Sequence, residues 1–469
     1  MKRTSLYRRL TAAILLLALC LSACGGEPAQ NLTDTTPESA ASVPGSSAEP
    51  GGETAPTGHT EPAAPDETDK PTGQTEPAEP SDAPEYTSAA AGKIASVSVG
   101  TPEEWNRFAR DFNAGRERFA ESLDVFIEKQ LSFAGTAFVA LTETFSGRIH
   151  GPERGTRNAF DDYRPSILLE AARGVSRQYY WSDPDIGAGF RDISAVEGGV
   201  SLFGGKNRTL IFENLDFANI SYAVQGQETV YGDTCGMLCT EAEIMYLSNV
   251  AFSSCTFENR YDMPESRDSA SYLLARTIEH LRMEKVLVSR CDTDIAYGDG
   301  GLLFASVRYG AVFKKIAMLG CSVGLREEDR GDASLFGSGG QVNFADVLLF
   351  DCTVYGSNAA ALCGLCKVFG LKNIVVERCG FFAEEKDQDD GEEDGLLLCG
   401  AAETYFFEGK ALEGVTPENV VFENCMATLY KKDFDWYRDR GITVENCLNV
   451  TTGPAKREYQ MWMYGEVYD

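Results

Sequence analysis

A short apolar pattern that ends in cysteine recurs along the second half of this chain, and it constrains the fold more than any other feature. Each copy has an aliphatic residue five positions before the cysteine and a second large apolar residue three positions before it. Apolar side chains two residues apart are typical of strands, and a strand repeated in this way is typical of a solenoid. The copies are Val250–Cys255, Val286–Cys291, Ile316–Cys321, Val347–Cys352, Ile374–Cys379, Val420–Cys425 and Ile442–Cys447, with Leu210–Leu215 as an earlier copy that has leucine in place of cysteine.

A second element, which begins with leucine, precedes these strands. Leu238 stands 17 residues before Cys255, and most coils share that offset. Leu303 stands 18 residues before Cys321. A nearly fixed offset between two apolar strands, with variable loops elsewhere, indicates successive coils of a solenoid. The copies are Leu202-Phe203-Gly204, Leu238-Cys239-Thr240, Leu303-Phe304-Ala305, Leu335-Phe336-Gly337, Leu362-Cys363-Gly364 and Leu398-Cys399-Gly400, with a weaker one at Leu274-Ala275-Arg276.

The alternation of apolar and polar residues fails just before each cysteine, which predicts a tight corner with positive φ at that position. Asn, Asp and Gly adopt positive φ most readily. These types occupy Asn214, Gly320, Asp351, Asn424 and Asn446, whereas Ser254, Arg290 and Arg378 are exceptions. The cysteine that follows is expected to point inward and to begin the next strand.

The strand pattern resembles that of right-handed parallel β-helix repeat proteins. More narrowly, the Leu-x-Gly triplets are similar to the core of GLUG-motif repeats, which occur in secreted and surface-attached bacterial proteins. Those proteins also have a helix that opens with Thr-Pro-Glu and a later Phe-Ser-Gly segment. The matching residues here are Thr101-Pro102-Glu103-Glu104 and Phe145–Gly151. The resemblance covers residues 99–427 and implies a surface location.

We therefore predict an all-β fold for residues 93–469: a right-handed parallel β-helix with a short N-terminal capping helix. Residues 93–200 form the N-terminal cap and first coils, 201–450 the repeats and 451–469 the C-terminal cap. The helix signals are Thr101 as N-cap, Pro102 in the first turn, Glu104 in a capping box and Gly115 as a stop. The apolar stripe expected to cover the first coil is Trp105, Phe108 and Phe112, and at the far end Tyr459, Trp462 and Tyr464 are expected to act similarly.

The first 23 residues have the features of a bacterial lipoprotein signal peptide. A basic start is followed by an apolar run from Leu10 to Leu21, which is too short to span a bilayer. Leu21-Ser22-Ala23-Cys24 resembles a lipobox, so cleavage before Cys24 and lipidation of its thiol are expected. A single acyl chain holds a protein at a membrane only marginally, whereas the two chains of a diacylglyceryl group, such as palmitate, anchor it stably. This predicts a lipid-anchored location on the extracellular face of the membrane.

Residues 24–92 are predicted to be a disordered acidic stalk rich in Pro, Glu, Thr and Ser. With almost no large apolar side chains, the segment cannot bury enough surface to offset the entropy of ordering. The chain has 71 acidic and 42 basic residues and a net charge of −29. That balance argues against a nucleic-acid partner, whose phosphates require Lys and Arg.

The chain contains 14 cysteines, and the repeat accounts for most of them as stacked, buried thiols. Neighbouring strands lie close enough that disulfides between coils stay open as an alternative. Cys363-Gly364-Leu365-Cys366 is a CxxC motif without a second pair, so we interpret it as structural. The acidic stretch Ala383–Gly395 lacks EF-hand spacing and is interpreted as a solvated loop.

Catalytic motifs are sparse. The three histidines are His59 in the stalk, His150 in a predicted turn and His280 in a charged, surface-exposed stretch. No Ser-His-Asp or HExxH pattern is visible in the sequence. One acidic and basic set would lie close together after coil stacking and is interpreted as a solvated face. It consists of Arg290, Asp292, Asp294 and Asp351.

The resulting hypothesis is a monomeric, non-catalytic surface lipoprotein for adhesion or for binding a glycan, host or cell-wall ligand, without metal or cofactor. A polysaccharide lyase or glycoside hydrolase on the same scaffold is one alternative, and a structural wall-associated protein is another. Converging carboxylates with a basic residue in a groove would favour the enzyme. A face with exposed aromatic side chains would favour binding.

Overall fold

Successive copies of the apolar–cysteine strand lie side by side in one parallel sheet. The computed structural model describes residues 84–90, 92–154, 187–225, 235–260, 271–293, 300–324, 333–356, 359–364, 366–383, 415–429 and 433–450. These residues belong to one unit, which spans Ala78–Asp469. The predicted signal peptide, Cys24 and most of the predicted stalk lie outside the described residues. The predicted boundary at residue 93 is wrong, because Glu85–Ser88, within the predicted stalk, forms a strand that pairs with the strand at Ile94–Val99.

The largest sheet, sheet A, is parallel throughout its main path except for the antiparallel pair at its N-terminal edge. In order across the sheet, its strands are β1 (Glu85–Ser88), β2 (Ile94–Val99), β3 (Phe119–Ile127), β6 (Ser146–His150), β9 (Lys206–Glu213), β13 (Glu241–Ser253), β16 (Ala275–Ser289), β19 (Phe304–Leu319), β22 (Gln341–Phe350), β25 (Lys367–Glu377), β27 (Glu418–Glu423) and β29 (Thr443–Glu445). Joined to it off this path are β4 (Gln130–Ser132), β7 (Gly189–Arg191) and β10 (Asp216–Ala218).

Two further sets of strands complete each coil. Sheet B consists of β11 (Ser221–Gln225), β14 (Thr256–Arg260), β17 (Asp292–Thr293), β20 (Ser322–Val323), β23 (Thr353–Gly356), β26 (Gly380–Ala383), β28 (Met426–Ala427) and β30 (Leu448–Asn449). The third set has short pairs and triplets, namely β12 (Cys235–Gly236) with β15 (Ser271–Tyr272), β18 (Gly300–Gly301) with β21 (Ala333–Ser334) and β24 (Ala359–Ala360), and β5 (Phe138–Val139) with β8 (Val196–Glu197).

One coil runs from the third set through sheet A to sheet B, and the next coil adds a parallel strand to each sheet. The coil that contains β12, β13 and β14 is followed by β15, β16 and β17, which pair with them in that order. This is the connectivity of a parallel solenoid. The predicted all-β parallel β-helix is therefore confirmed.

All eight predicted corner residues have positive φ, between 50° and 61°. Ser254, Arg290 and Arg378 adopt this conformation although their side chains do not favour it. A second series of corners, five residues earlier, was not predicted, and it bends each long strand of sheet A. Its members are Asn249, Lys285, Lys315, Asp346, Asn373 and Asn419.

The second corner explains one wrong prediction of register. Leu210 pairs with Met245, not with Val250, so the segment Leu210–Leu215 lies one strand earlier in its coil than predicted. Phe217 pairs with Phe252 instead. The sequence Leu-x-Phe-x-Asn occurs twice in succession there because two corners, at Asn214 and Asn219, each follow an apolar pair.

Core side chains fill the interior from the N-terminal helix onward. Helix α1 (Pro102–Ala114) begins at Thr101 with the predicted capping box and ends at Gly115. Trp105, Phe108 and Phe112 are fully buried, and the Trp105 ring lies 5.0–5.8 Å from aromatic rings of the first coils. The N-terminal cap is therefore confirmed.

The C-terminal end of the described chain carries helix α2 (Phe434–Arg438), which the sequence did not predict. Asp433 caps it by accepting a hydrogen bond from the Trp436 backbone, and Tyr437 is buried against Phe422. The predicted cap residues Tyr459, Trp462 and Tyr464 lie outside the described residues.

A second hydrophobic cluster lies on the opposite face of the strand segments that precede the cysteines. Strands buried on both faces have continuous apolar runs, and Val347-Leu348-Leu349-Phe350 is such a run. The repeat pattern predicts only the inward positions, so this layer was not predicted. Its members are Ala251, Leu287, Ala317, Leu319, Leu348, Phe350 and Val375.

Candidate functional site: an aromatic groove on sheet A

Among the central strands of sheet A, from β9 to β27, two β-bulges interrupt the regular pairing, and each adds an exposed aromatic side chain. On β19, Arg308 and Tyr309 stand opposite the single residue Glu279 of β16. On β25, Phe369 is an extra residue between partners of Val342 and Asn343. Bulges re-aim side chains and are frequent beside functional sites. Tyr309 is 58% exposed and Phe369 is 53% exposed.

Phe369 lines a groove of about 670 Å³ on the outer face of sheet A, across β13, β16, β19, β22 and β25, and Tyr309 lies beside it against the lining residue His280. Ile244 and Val312 also lie there, at 46% and 44% exposure. Of the six large hydrophobic side chains that are exposed in the described part of the chain, these four cluster together. The four strand spacings correspond to a length of about 19 Å.

Strand register fixes the polar groups of the groove. In one outward column Ile244, His280, Gly310 and Gln341 are direct neighbours. In the next outward column the neighbours are Tyr246, Arg282, Val312 and Asn343. The groove thus combines apolar surface, two carboxamides, an imidazole and a guanidinium, and no carboxylate lines it.

Aromatic rings contact the basic side chains of the groove. The His280 ring stacks on Tyr309 with centroids 5.1 Å apart. The Arg282 guanidinium lies 5.6 Å from the Tyr246 ring centre, and the Lys367 ammonium lies 5.1 Å from that of Phe369. Such contacts restrict side-chain motion at an exposed site, which lowers the entropy lost on binding. His280 is therefore at the surface, as predicted, and belongs to the groove.

A second polar cluster lies on the same face of sheet A, across β3, β6 and β9. Arg148 Nε donates to Asp124 at 2.8 Å, and its Nη1 donates to Glu213 at 3.2 Å. The His150 ring lies within 3.4 Å of both Asp124 and Arg148. Partial burial works to raise the pKa of Asp124, but Arg148 and His150 hold it below its ordinary value.

The position of His150 corrects one prediction. His150 ends strand β6, which pairs with β3 and β9, and does not lie in a turn. The segment reads as a turn because of Gly147. That glycine is required for another reason: its φ is +151°, and a Cβ there would meet the Leu123 carbonyl oxygen.

The structure does not place the described members of one predicted set close together. That set is Arg290, Asp292, Asp294 and Asp351. Asp351 pairs with Arg378 at 3.2 Å, and Asp292 accepts a hydrogen bond from Ser322. Gly320 occupies the corner between Arg290 and Asp351, so two strand spacings, about 10 Å, separate them. Asp294 lies outside the described residues.

The seven repeat cysteines form the predicted internal column. All are free thiols, and all but Cys447 are buried. Several donate to a backbone carbonyl of the preceding coil, as Cys321 does to Val288 at 3.5 Å. Burial raises the pKa of Cys291, Cys321, Cys379 and Cys425 well above the ordinary value, so these thiols stay protonated. The buried thiols of the column pack the core.

The CxxC motif forms a disulfide between Cys363 and Cys366, which the repeat pattern did not predict. Both residues are 1% exposed, so the bond lies in the core. Within the described ranges, no group of three or more His, Cys, Asp or Glu side chains is placed to hold a metal ion. The acidic stretch from 384 onward and His59 lie outside those ranges.

Sequence reasoning missed Tyr309 and Phe369, although one signal was present. The offset of 18 residues from Leu303 to Cys321 exceeds the usual 17 by one, and the extra residue is in the β19 bulge. Phe369 left no such signal. Gly337 pairs with Cys363, so the triplets Leu335-Phe336-Gly337 and Leu362-Cys363-Gly364 are shifted by one residue relative to each other. The extra residue Phe369 compensates for this shift, so both leucines stand 17 residues before their cysteines.

Comparison with known proteins adds no further constraint. No protein-family model, no curated protein and no solved structure matches this chain. The similarity to GLUG-motif repeats therefore stays a prediction. None of the helices in the described part of the chain is long and apolar enough to cross a bilayer.

Proposed function

We propose that this protein is a non-catalytic surface lipoprotein that binds a glycan along the groove on sheet A. Sugar rings have apolar C–H faces that pack on aromatic side chains, and hydroxyl groups that bond to carboxamides. The groove supplies both, with Tyr309 and Phe369 on either side of the strand that carries Gln341 and Asn343.

The observation that carries the proposal is the pair of bulges. A regular sheet would need neither extra residue, and each one places a large ring in water, where exposure is unfavourable without a partner. The rings lie on strands two spacings apart, a separation of about 10 Å along the solenoid. A ligand that extends across several strands, such as an oligosaccharide, contacts both.

An enzyme is the second candidate, and the cluster around Arg148 is the observation that favours it. Two carboxylates, Asp124 and Glu213, converge there with a guanidinium and an imidazole. All three guanidinium nitrogens of Arg148, however, contact side chains of the cluster itself. The carboxylates are thus bridged to each other and do not flank an open space, which ranks this candidate below binding.

Surface anchoring through Cys24 forms part of the proposal and rests on the lipobox resemblance. We expect Cys24→Ala to release the protein from the membrane fraction into the medium of the producing bacterium. Metabolic labelling with an alkyne fatty acid should mark the parent protein and leave the variant unmarked. Retention of the variant at the membrane would contradict the anchor.

The binding proposal is tested on a glycan array with the full chain purified in detergent. We expect binding to a restricted set of glycans, and a Tyr309→Ala/Phe369→Ala double variant should lose about 30-fold in affinity. The matched control is Leu448→Ala, which removes a side chain of similar exposure (43%) outside the groove. Its affinity should equal that of the parent.

The array also separates the alternatives. Cleavage of bound oligosaccharides, seen by mass spectrometry and abolished by Asp124→Asn, would favour the enzyme. If no glycan on the array is bound and none is cleaved, the structural wall-associated role is favoured. If the double variant retains full affinity for the glycan, the groove is not the binding site.

A further inference from the structure

The charge of the groove differs from that of the chain as a whole. Asp and Glu outnumber Lys and Arg by 71 to 42 in the sequence. Among the side chains that line the groove, His280 and Arg282 are basic and none is acidic. Lys367 lies at one end, against Phe369. No carboxylate lines the groove, although Glu284 contacts Arg282 from outside the lining, and a lining with basic but no acidic groups matches an anionic ligand by charge.

Arg282 has the geometry of a carboxylate receptor. Its Nη2 donates to Glu284 at 3.0 Å, and its side chain is 59% exposed. Within the described residues, its Nε and Nη1 donate to no other group. A guanidinium fork recognises carboxylates with paired hydrogen bonds, and the Glu284 contact together with the Tyr246 ring holds that fork in place.

We propose that the glycan bound here is acidic, with uronic acid residues whose carboxylate is received by Arg282 beside His280. This inference rests on the proposed function, because it concerns the same groove. The aromatic and amide groups bind the sugar rings in either case. Arg282 adds selectivity for the carboxylate over its neutral counterpart.

The test uses matched pairs of oligosaccharides that differ only in charge. Hexamers of polygalacturonate, of hyaluronan and of polymannuronate are each compared with their methyl esters by calorimetric titration of the full chain. For at least one pair, we expect the acid to bind about ten-fold more tightly than the ester, because charged hydrogen bonds are lost on esterification. Raising the salt concentration should narrow that ratio.

Two variants make the result specific. Arg282→Gln should weaken binding of the acid about ten-fold and leave binding of the ester unchanged. Arg208→Gln removes an exposed arginine of the same sheet outside the groove, and it should leave the acid-to-ester ratio at the parent value.

The outcomes separate the two proposals. Equal binding of acid and ester in every pair, or an unchanged ratio in Arg282→Gln, would overturn the acidic ligand while the groove still binds glycans. Binding of neutral glycans on the array, with no member of any pair bound, would overturn it as well. Absence of all glycan binding would overturn the proposed function itself.

Discussion

The outer face of sheet A contains two regions that share the same strand register. They differ in whether their polar side chains bond to each other or face water. One outward column begins with Asp124 and Arg148, which pair with each other, and continues through Ile211 to Tyr246 and Arg282. Around Arg148, charges of opposite sign are bonded across three strands. In the groove, aromatic and amide groups of β13, β16, β22 and β25 face water.

This difference indicates that the region around Arg148 stabilises the fold, whereas the groove is available to bind a ligand. A cluster whose donors and acceptors are used internally contributes to stability and has little left for a ligand. A cluster with open donors and rings placed outward by bulges contributes little to stability. Because both lie on one sheet, substitutions in the first should change stability without binding, and substitutions in the second should do the reverse.

The largest expected effect comes from glycines in the two regions. Gly147→Ala places a Cβ against the Leu123 backbone at positive φ, so the free energy of unfolding should fall by about 3 kcal/mol. At Gly310, in the groove, the nearest atom to an added Cβ is the backbone carbonyl oxygen of Gln341, at 3.4 Å. Gly310→Ala should change stability by less than about 0.5 kcal/mol. Urea denaturation of both variants measures this, and equal losses would contradict the comparison.

A deletion tests whether the bulge serves binding. Removal of Phe369 leaves Val368 and Gly370 opposite Val342 and Asn343 with regular pairing. We expect stability within about 1 kcal/mol of the parent and about ten-fold weaker binding of an array ligand. Calorimetric titration and thermal melting measure the two quantities. A large loss of stability would show that the bulge is required for folding.

The charged cluster gives a smaller effect on stability. Arg148→Met keeps the aliphatic stem and removes the bonds to Asp124 and Glu213, so we expect a loss of about 1 kcal/mol, in keeping with partly exposed ion pairs. Glycan affinity should not change. A variant as stable as the parent but impaired in binding would reverse the assignment of the two regions.

The smallest expected effect is the pH dependence of the stability that the Arg148 cluster contributes. The folded-state pKa of Asp124 is lower than its ordinary value, so its contribution is present above the unfolded-state pKa of 3.8 and is lost as the pH falls through the folded-state value. The stability difference between the parent and Arg148→Met should therefore be constant near neutral pH and shrink below about pH 4. Urea midpoints measured at several pH values test this, and a difference that grows in acid would contradict it.

The interior could be predicted from the sequence because every coil repeats the same requirement. Val250, Phe252 and Cys255 each face the core, and their equivalents must be apolar in every coil. The corner at Ser254 was predicted in the same way, from its position and not from its residue type. Asn or Asp also occupies four of the six earlier corners, so their residue types offered a signal, but the prediction was aligned on the cysteines and did not use it.

The groove was not predicted, because bulges are departures from the repeat and only the 18-residue offset from Leu303 to Cys321 signals one of them. Tyr309 and Phe369 occupy positions with no equivalent in neighbouring strands, so aligning the repeats conceals them. The cluster of Asp124, Arg148 and Glu213 depends on pairing across coils of unequal length. A sequence alone gives no register for such coils.

The most direct test of the account is hydroxyl-radical footprinting of the full chain with and without a glycan identified on the array. Oxidation of Tyr309 and Phe369 should fall when the glycan is bound. Oxidation of His150, and of Phe126 whose ring centre lies 5.2 Å from that of His150, should not change. Protection of His150 and Phe126, with Tyr309 and Phe369 still oxidised at the unbound rate, would contradict it.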